Sequence, residues 1–258
     1  MNSSKKILSV LLIAVMAMGM LAGCGSKKAA DDSAKDAKDT LVMATNATFP
    51  PYEYVEGDDF KGIDVEIAGE IAKKLGMKLD IQDVEFDSII AGVQSGKYDM
   101  GMAGMTVTDE RKQSVDFTDS YATGIQVIIV KKGSDIKSVD DLSEDTKIGV
   151  QQGTTGHIYA SDDYGEDAVT PFNKGADAVQ ALLSGKIDCV IIDNEPAKAY
   201  IESNDELEII DTEYVKEDYA ICVSKDNSDL RDKINTALQE LKDDGTIDKI
   251  VSKYIPAE

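Results

Sequence analysis

Hydrophobic positions in this chain follow two periods in turn. Ile63, Ile67, Ile71 and Leu75 recur every four residues and mark one face of a helix, with Asp64 near its start and Gly76 at its end. Short apolar runs at Leu41–Ala44, Met77–Val84, Tyr98–Met102, Ile125–Val130, Lys147–Val150, Ile187–Ile192 and Tyr219–Val223 have the length of buried strands. Helical patterns fall between them. One carries Ile89, Ile90 and Val93, is capped by Asp87 or Ser88 and stops at Gly96; others cover Ala176–Leu183, Glu195–Glu202, Ser228–Asp244 and Thr246–Tyr254. Strands alternating with helices predict parallel βαβ units and an α/β fold.

The stretch Tyr98–Asp116 concentrates the first candidate chemistry. Its apolar run turns polar at Thr106, and Thr108 followed by Asp109 and Glu110 reads as an N-cap with acids in the first helical turn. Ala103, Gly104 and Thr106 are small enough to let a ligand approach the backbone. Arg111 follows, and its planar fork can hold a carboxylate through two parallel bonds.

A second stretch has similar character. The run Lys147–Val150 enters Gln151-Gln152-Gly153-Thr154-Thr155-Gly156, where backbone N–H groups and hydroxyls can cradle an anion. It lacks the lysine and the spacing of a nucleotide-binding P-loop. His157 after it is expected on a helix surface. The loop Asn46-Ala47-Thr48-Phe49-Pro50-Pro51-Tyr52-Glu53-Tyr54 is forced to extend by its paired prolines, and its aromatics are candidates for a ligand wall.

An internal echo links these pieces. Ser95-Gly96-Lys97-Tyr98-Asp99 and Ser184-Gly185-Lys186-Ile187-Asp188 each follow an apolar helix and precede an apolar strand. Nine residues on from each serine stand Gly104 and Asp193. Both units therefore deliver a polar site at a strand's carboxyl end, where open α/β sheets bind ligands. If the units belong to facing lobes, the cleft has Arg111 on one wall and Asp193 on the other, which suits a zwitterion. Asp193-Asn194-Glu195-Pro196 equally fits a helix cap with proline in the first turn.

The N-terminus lies apart from this pattern. Lys5 and Lys6 precede an apolar run from Ile7 to Leu21, shorter than the roughly 20 residues of a membrane span. It reads as a secretory signal ending at Leu21-Ala22-Gly23-Cys24. That ending resembles the lipobox of bacterial lipoproteins, in which Cys24 would be acylated and become the first residue of the mature chain. Residues 25–39 are Gly, Ser, Lys, Ala and Asp without apolar period, a flexible tether.

Composition narrows the function. The chain has 258 residues, with 27 Lys and Arg against 49 Asp and Glu, a net charge of −22. Removing residues 1–23 takes two lysines and no acid, giving −24. Such a balance argues against nucleic acid, which needs a basic footprint. One His, no Trp and no Cys-x-x-Cys spacing give no basis for a metal site or cofactor. Cys189 and Cys222 sit in apolar runs, as buried free thiols do.

From Thr40 to Tyr254 the chain resembles bacterial solute-binding proteins of the polar amino-acid type, family 3, which feed ABC importers. The resemblance is carried by Gly62-Ile63-Asp64-Val65-Glu66, Phe86-Asp87-Ser88-Ile89-Ile90, Gly104-Met105-Thr106-Val107-Thr108-Asp109-Glu110-Arg111, Val115-Asp116-Phe117-Thr118, Gly149-Val150-Gln151-Gln152-Gly153-Thr154-Thr155 and Leu241-Lys242-Asp243-Asp244-Gly245-Thr246, in this order. It implies a two-lobe, periplasmic-binding-protein-like (type II) α/β fold with a two-strand hinge, residues 40–123 plus 219–258 forming one lobe and 124–218 the other.

The resemblance also implies site roles. Arg111 holds the ligand carboxylate, with Ala103 and Thr106 in the same loop and Thr154 and Thr155 assisting. Asp193 holds the α-ammonium, helped by Gly104. Phe49 and Phe86 sandwich the side chain, with Tyr52 nearby. Asn46 stands where basic-amino-acid binders often carry Asp, and serines common at Ala103 and Gly104 are missing, so neutral polar as well as basic ligands stay open. The implied partners are a free L-amino acid, an ABC permease, and the membrane through the lipid on Cys24, with the protein monomeric, outside the cytoplasm and not an enzyme. A dehydratase-type enzyme and a sensory ligand-binding domain are alternatives on the same scaffold.

Overall fold

The computed structural model describes residues 39–210 and 213–256. The leader, Cys24 and most of the tether lie outside them. No helix among the described residues is long and apolar enough to cross a membrane.

Two open sheets organise the described chain. The first has strand order Lys78–Asp83, Thr40–Thr45, Met100–Gly101, Cys222–Ser224, Val115–Phe117. The second has order Val169–Phe172, Ile148–Gln151, Cys189–Asp193, Ala122–Lys131, Leu207–Ile209. A small three-stranded sheet, Thr48–Phe49, Glu53–Glu56 and Asp59–Lys61, begins within the stretch Asn46–Tyr54, which its prolines had marked only as an extended loop.

The expected parallel units are present in part. Thr40–Thr45 runs parallel to both its neighbours, as does Ile148–Gln151 to its own. The remaining pairs in both large sheets are antiparallel. The long strand Ala122–Lys131 accounts for much of this. Its first half pairs with Val215–Tyr219, from Ala122↔Tyr219 to Gln126↔Val215, and its second half with Leu207–Ile209. These two antiparallel strands carry the chain into and out of the second sheet, as a two-strand hinge requires.

The run Tyr219–Val223, expected as one strand, is two. Tyr219 ends the strand paired in the second sheet, and Cys222 begins one paired with Gly101 and Phe117 in the first. The chain changes sheets at Ala220 and Ile221, and a backbone bonded into two differently directed sheets must bend between them.

The first sheet is covered by helices whose period was legible. Ile63, Ile67 and Ile71 of helix Ile63–Lys74 are fully buried, as are Ile234, Leu238 and Leu241 of helix Ser228–Asp243. Full burial of such a side chain stabilises by about 1.5–3 kcal/mol. Cys189 and Cys222 are buried and unpaired.

Candidate functional site

The loops at the carboxyl ends of the strands converge on one enclosed cavity, with free space of about 10 Å3 for the centre of a water-sized sphere. Asn46, Phe49, Phe86, Gly104, Thr106, Arg111, Thr154, Thr155 and Asp193 line it, together with Glu53 and Gln151. Tyr52 and Ala103 do not. Tyr52 is 2% exposed and packs behind the wall, stacked on Phe49 at 6.1 Å and edge-on to Tyr219 at 5.2 Å. Ala103 is buried among Ile89, Val93 and Met105.

Arg111 opens a single turn of helix, Arg111–Ser114, rather than lying inside a longer one. Thr108 Oγ1 accepts from the Arg111 N–H at 3.1 Å, which turns the backbone. The guanidinium is 7% exposed and lies with its carbon 5.4 Å from the centre of the Phe86 ring. Its Nη1 donates to Thr106 O at 2.7 Å and its Nη2 to Gly153 O at 3.0 Å. Those bonds leave further N–H groups of the fork for an anion. No carboxylate among the described residues makes an ion pair with it, and burial holds its pKa below the ordinary value.

Asp193 takes the N-cap position of helix Asn194–Glu202, but its side chain caps nothing. The carboxylate accepts instead from Gln126 Nε2 at 2.8 Å and from the Tyr219 hydroxyl. Burial pushes its pKa up to about 7, reinforced by the charge of Glu217 and opposed by the Tyr219 and Gln126 bonds.

The Gly/Thr loop folds onto itself. Thr154 caps helix Thr155–Tyr164 by accepting from His157 N–H at 3.3 Å, and its hydroxyl donates to Gln151 O at 2.8 Å. His157 is half-buried, and its Nδ1 accepts from the Gly153 N–H at 3.2 Å, so it braces the loop. Asp87 and Ser88 make no side-chain cap either: Asp87 accepts from Gln152 Nε2 at 2.7 Å and Ser88 donates to Glu85 O at 2.7 Å.

Polar contacts at and around the cavity link the segment after strand Thr40–Thr45 to elements packed on the second sheet. Gln151 Nε2 donates to Asn46 Oδ1 at 2.9 Å, and Tyr200 donates to Thr48 O at 3.1 Å. Asn46 is already engaged, because its amide also donates to Val84 O at 2.7 Å and accepts from Thr48 at 2.8 Å. Arg111 to Gly153 and Gln152 to Asp87 add two further bonds between the same regions.

Two acids were missed from sequence. Glu217, on the strand Val215–Tyr219, accepts from Thr155 Oγ1 at 2.9 Å and Gln126 Nε2 at 3.0 Å. Glu53 sits in the wall itself. The aromatic loop containing Glu53 had drawn notice only for its rings; Glu217 lies in the charged segment Val215-Lys216-Glu217-Asp218, which carries no buried-strand signal.

A family model described as bacterial extracellular solute-binding proteins, family 3, matches residues 41–257. The chain belongs to this family. Among curated relatives it is 38% identical to the arginine-binding extracellular protein ArtP of Bacillus subtilis, over 96% of this chain and 98% of that protein. It is 34% identical to the ABC transporter glutamine-binding protein GlnH of the same organism, over 98% and 100% respectively. A solved structure of an ancestral arginine-binding protein bound to arginine superposes with a TM-score of 0.80 at 43% identity, covering 84% of this chain and 99% of that one. Family membership accounts for the two-lobe α/β architecture and for the position of the cavity between two sheets.

Proposed function

We propose that this chain is the amino-acid-binding component of an ABC importer, working outside the cytoplasm. Residues 40–123 with 219–258 form one lobe, 124–218 form the other, and they close about the paired strands Ala122–Lys131 and Val215–Tyr219. The observation that carries the reading is that Arg111 and Asp193 line one cavity. Arg111 takes the ligand carboxylate, with Thr106, Thr154 and Thr155 at the same end; Asp193 takes the α-ammonium, with Gly104 beside it; Phe49 and Phe86 flank the side chain next to Asn46. In a buried site each charge needs its partner, since an uncompensated one costs about 3–5 kcal/mol. Binding therefore favours the closed population.

The relatives support delivery to an ABC transporter and are solute-binding proteins rather than enzymes. An enzyme reading is not favoured, because Asp193 is already bonded to Gln126 and Tyr219 and is a poor general base. A sensory reading has no observation in its favour. Titration calorimetry of residues 24–258 against the twenty amino acids tests the proposal. Binding of at least one polar amino acid well below 1 mM is expected, and none tighter than about 1 mM overturns it.

The signal peptide, the acylated Cys24 and the monomeric state belong to the same proposal. The lipobox supports the anchor, and several acyl chains meet the requirement for stable attachment. Mass spectrometry of membrane-extracted protein is expected to find a mature chain beginning at a lipid-modified Cys24.

A further inference from the structure

One buried carboxyl pair in the cleft has no part in the scheme above. Glu53 is 1% exposed and lines the cavity. Neither of its carboxyl oxygens finds a donor among the described residues, and nor does Asp64 Oδ1. The two carboxyls lie within hydrogen-bonding reach of each other. Asp64 is fixed from behind, its Oδ2 accepting from the Gly104 N–H at 2.9 Å and the Tyr121 hydroxyl at 2.8 Å.

Two ionised carboxylates in contact, away from water, repel each other and lack donors. One proton between them removes a charge and supplies the missing donor. Asp64 is the natural acceptor, because it already takes two other hydrogen bonds. Glu53 is then the natural proton carrier, with one oxygen left over at the cavity wall. Its surroundings reinforce this. Asp64, Asp193 and Asp83 all act on it electrostatically, Tyr52 and Tyr121 adjoin the pair, and Arg111 is the cation lining the same cavity. Burial above all, then Asp64, raises the Glu53 pKa well above the ordinary carboxyl range, and burial lifts Asp64 to about 6.

We propose that Glu53 reads the charge of the ligand's side chain: it shares one proton with Asp64, and a side chain ending in a guanidinium or ammonium group displaces that proton and takes its place. The inference rests on the amino-acid reading and names its substrate class, the cationic amino acids. The step balances. The O–H bond of Glu53 breaks, the proton leaves to solvent, and the ligand's positive charge replaces it, so the buried site keeps the same net charge. A side chain ending in a neutral carboxamide leaves the proton where it was. The α-ammonium acts on Asp193 identically for both ligand types, so the difference in proton release between them belongs to Glu53.

The test is calorimetry with L-arginine, L-lysine and L-glutamine near pH 7 in phosphate and in Tris, whose ionisation enthalpies differ. Arginine or lysine is expected to release about one proton more than glutamine. In Glu53→Gln the excess release disappears and the preference for the cationic ligand falls. Where glutamine does not bind, arginine on the wild-type chain against arginine on Glu53→Gln gives the same readout. Arginine binding without excess release overturns the inference, as does a Glu53→Gln chain that keeps it. If Glu53→Gln does not fold, a wild-type pH series replaces it. While Glu53 is protonated, affinity for the cationic ligand relative to the neutral one is expected to rise by up to about tenfold per pH unit, and a flat ratio overturns the inference. A chain that binds only neutral amino acids refutes this inference and spares the receptor reading; one that binds no amino acid refutes the receptor reading itself.

Discussion

Two stretches of this protein are built alike and end differently. Helix Ile89–Gln94 with its turn and strand, and helix Gly175–Leu183 with its own, share their local bonds almost atom for atom. Gly96 and Gly185 adopt φ of 74° and 71°. Ser95 Oγ donates to Gly92 O at 3.0 Å and Ser184 Oγ to Ala181 O at 3.0 Å. Asp99 accepts from the Val42 N–H at 2.7 Å, and Asp188 from the Lys147 N–H at 2.8 Å, each tying its turn to the neighbouring strand. The units part at their ends. One strand is only Met100–Gly101 and runs on to Gly104, whose N–H faces Asp64 and beside which Arg111 is held. The other continues to Asp193, whose carboxylate enters the cavity. The shared backbone sets where each lobe presents its chemistry; the residues beyond the strand set its sign.

Removing the cation should break the pairing most severely. In the proposed binding scheme, Arg111→Met leaves the ligand carboxylate without its fork and removes the cation that lines the cavity with Asp193. Its expected cost is about 3–5 kcal/mol, roughly two to four decades in Kd by calorimetry. Asp193→Asn removes the opposing charge while keeping the shape that Gln126 and Tyr219 surround. About 1.5–3 kcal/mol of binding is expected to go, roughly ten- to a hundredfold in Kd. Equal small losses from both variants would mean that the two ends do not grip one ligand.

Protonation offers a reversible version of the second change. Asp193 with a pKa near 7 and Asp64 near 6 sit above the unfolded carboxyl value of about 3.9. Between about pH 4 and 7 the folded chain thus holds more protons than the unfolded one, and stability declines as pH rises through that window. Affinity has the opposite sign, since an ammonium needs an ionised Asp193: below about pH 7 it is expected to weaken by up to about tenfold per pH unit. Thermal melts with and without ligand from pH 5 to 8 should show the free protein losing Tm as the ligand-induced increment grows.

Two smaller changes sharpen the contrast. At Gly104 φ is +52° and an added Cβ would stand 2.9 Å from the Phe49 ring. Gly104→Ala is expected to cost about 1–3 kcal/mol of stability in urea, with weaker binding as Phe49 shifts. Asp188→Ala, in the shared turn far from the cavity, is expected to cost about 0.5–1.5 kcal/mol of stability and leave Kd unchanged.

Most of the architecture was already written in the chain. The four-residue period of Ile63 to Leu75, the short apolar runs and the echoing Ser-Gly-Lys turns each depend on neighbours within one element, and local rules read them. The same applies to Arg111 and Asp193, whose motifs announced a cleft with two signs. What no local rule could reach depends on distant segments meeting. Tyr219–Val223 splits because two sheets claim its halves. Asp193 abandons the helix cap because Gln126 and Tyr219 offer better donors from other strands. Tyr52 withdraws behind the wall because Phe49 and Tyr219 enclose it. Glu53 becomes a buried acid beside Asp64 only once its loop folds onto the helix that begins at Ile63. Burial, and with it the strength of every charge in the cleft, is a property of the assembled structure, because it is set by what excludes water from each side chain.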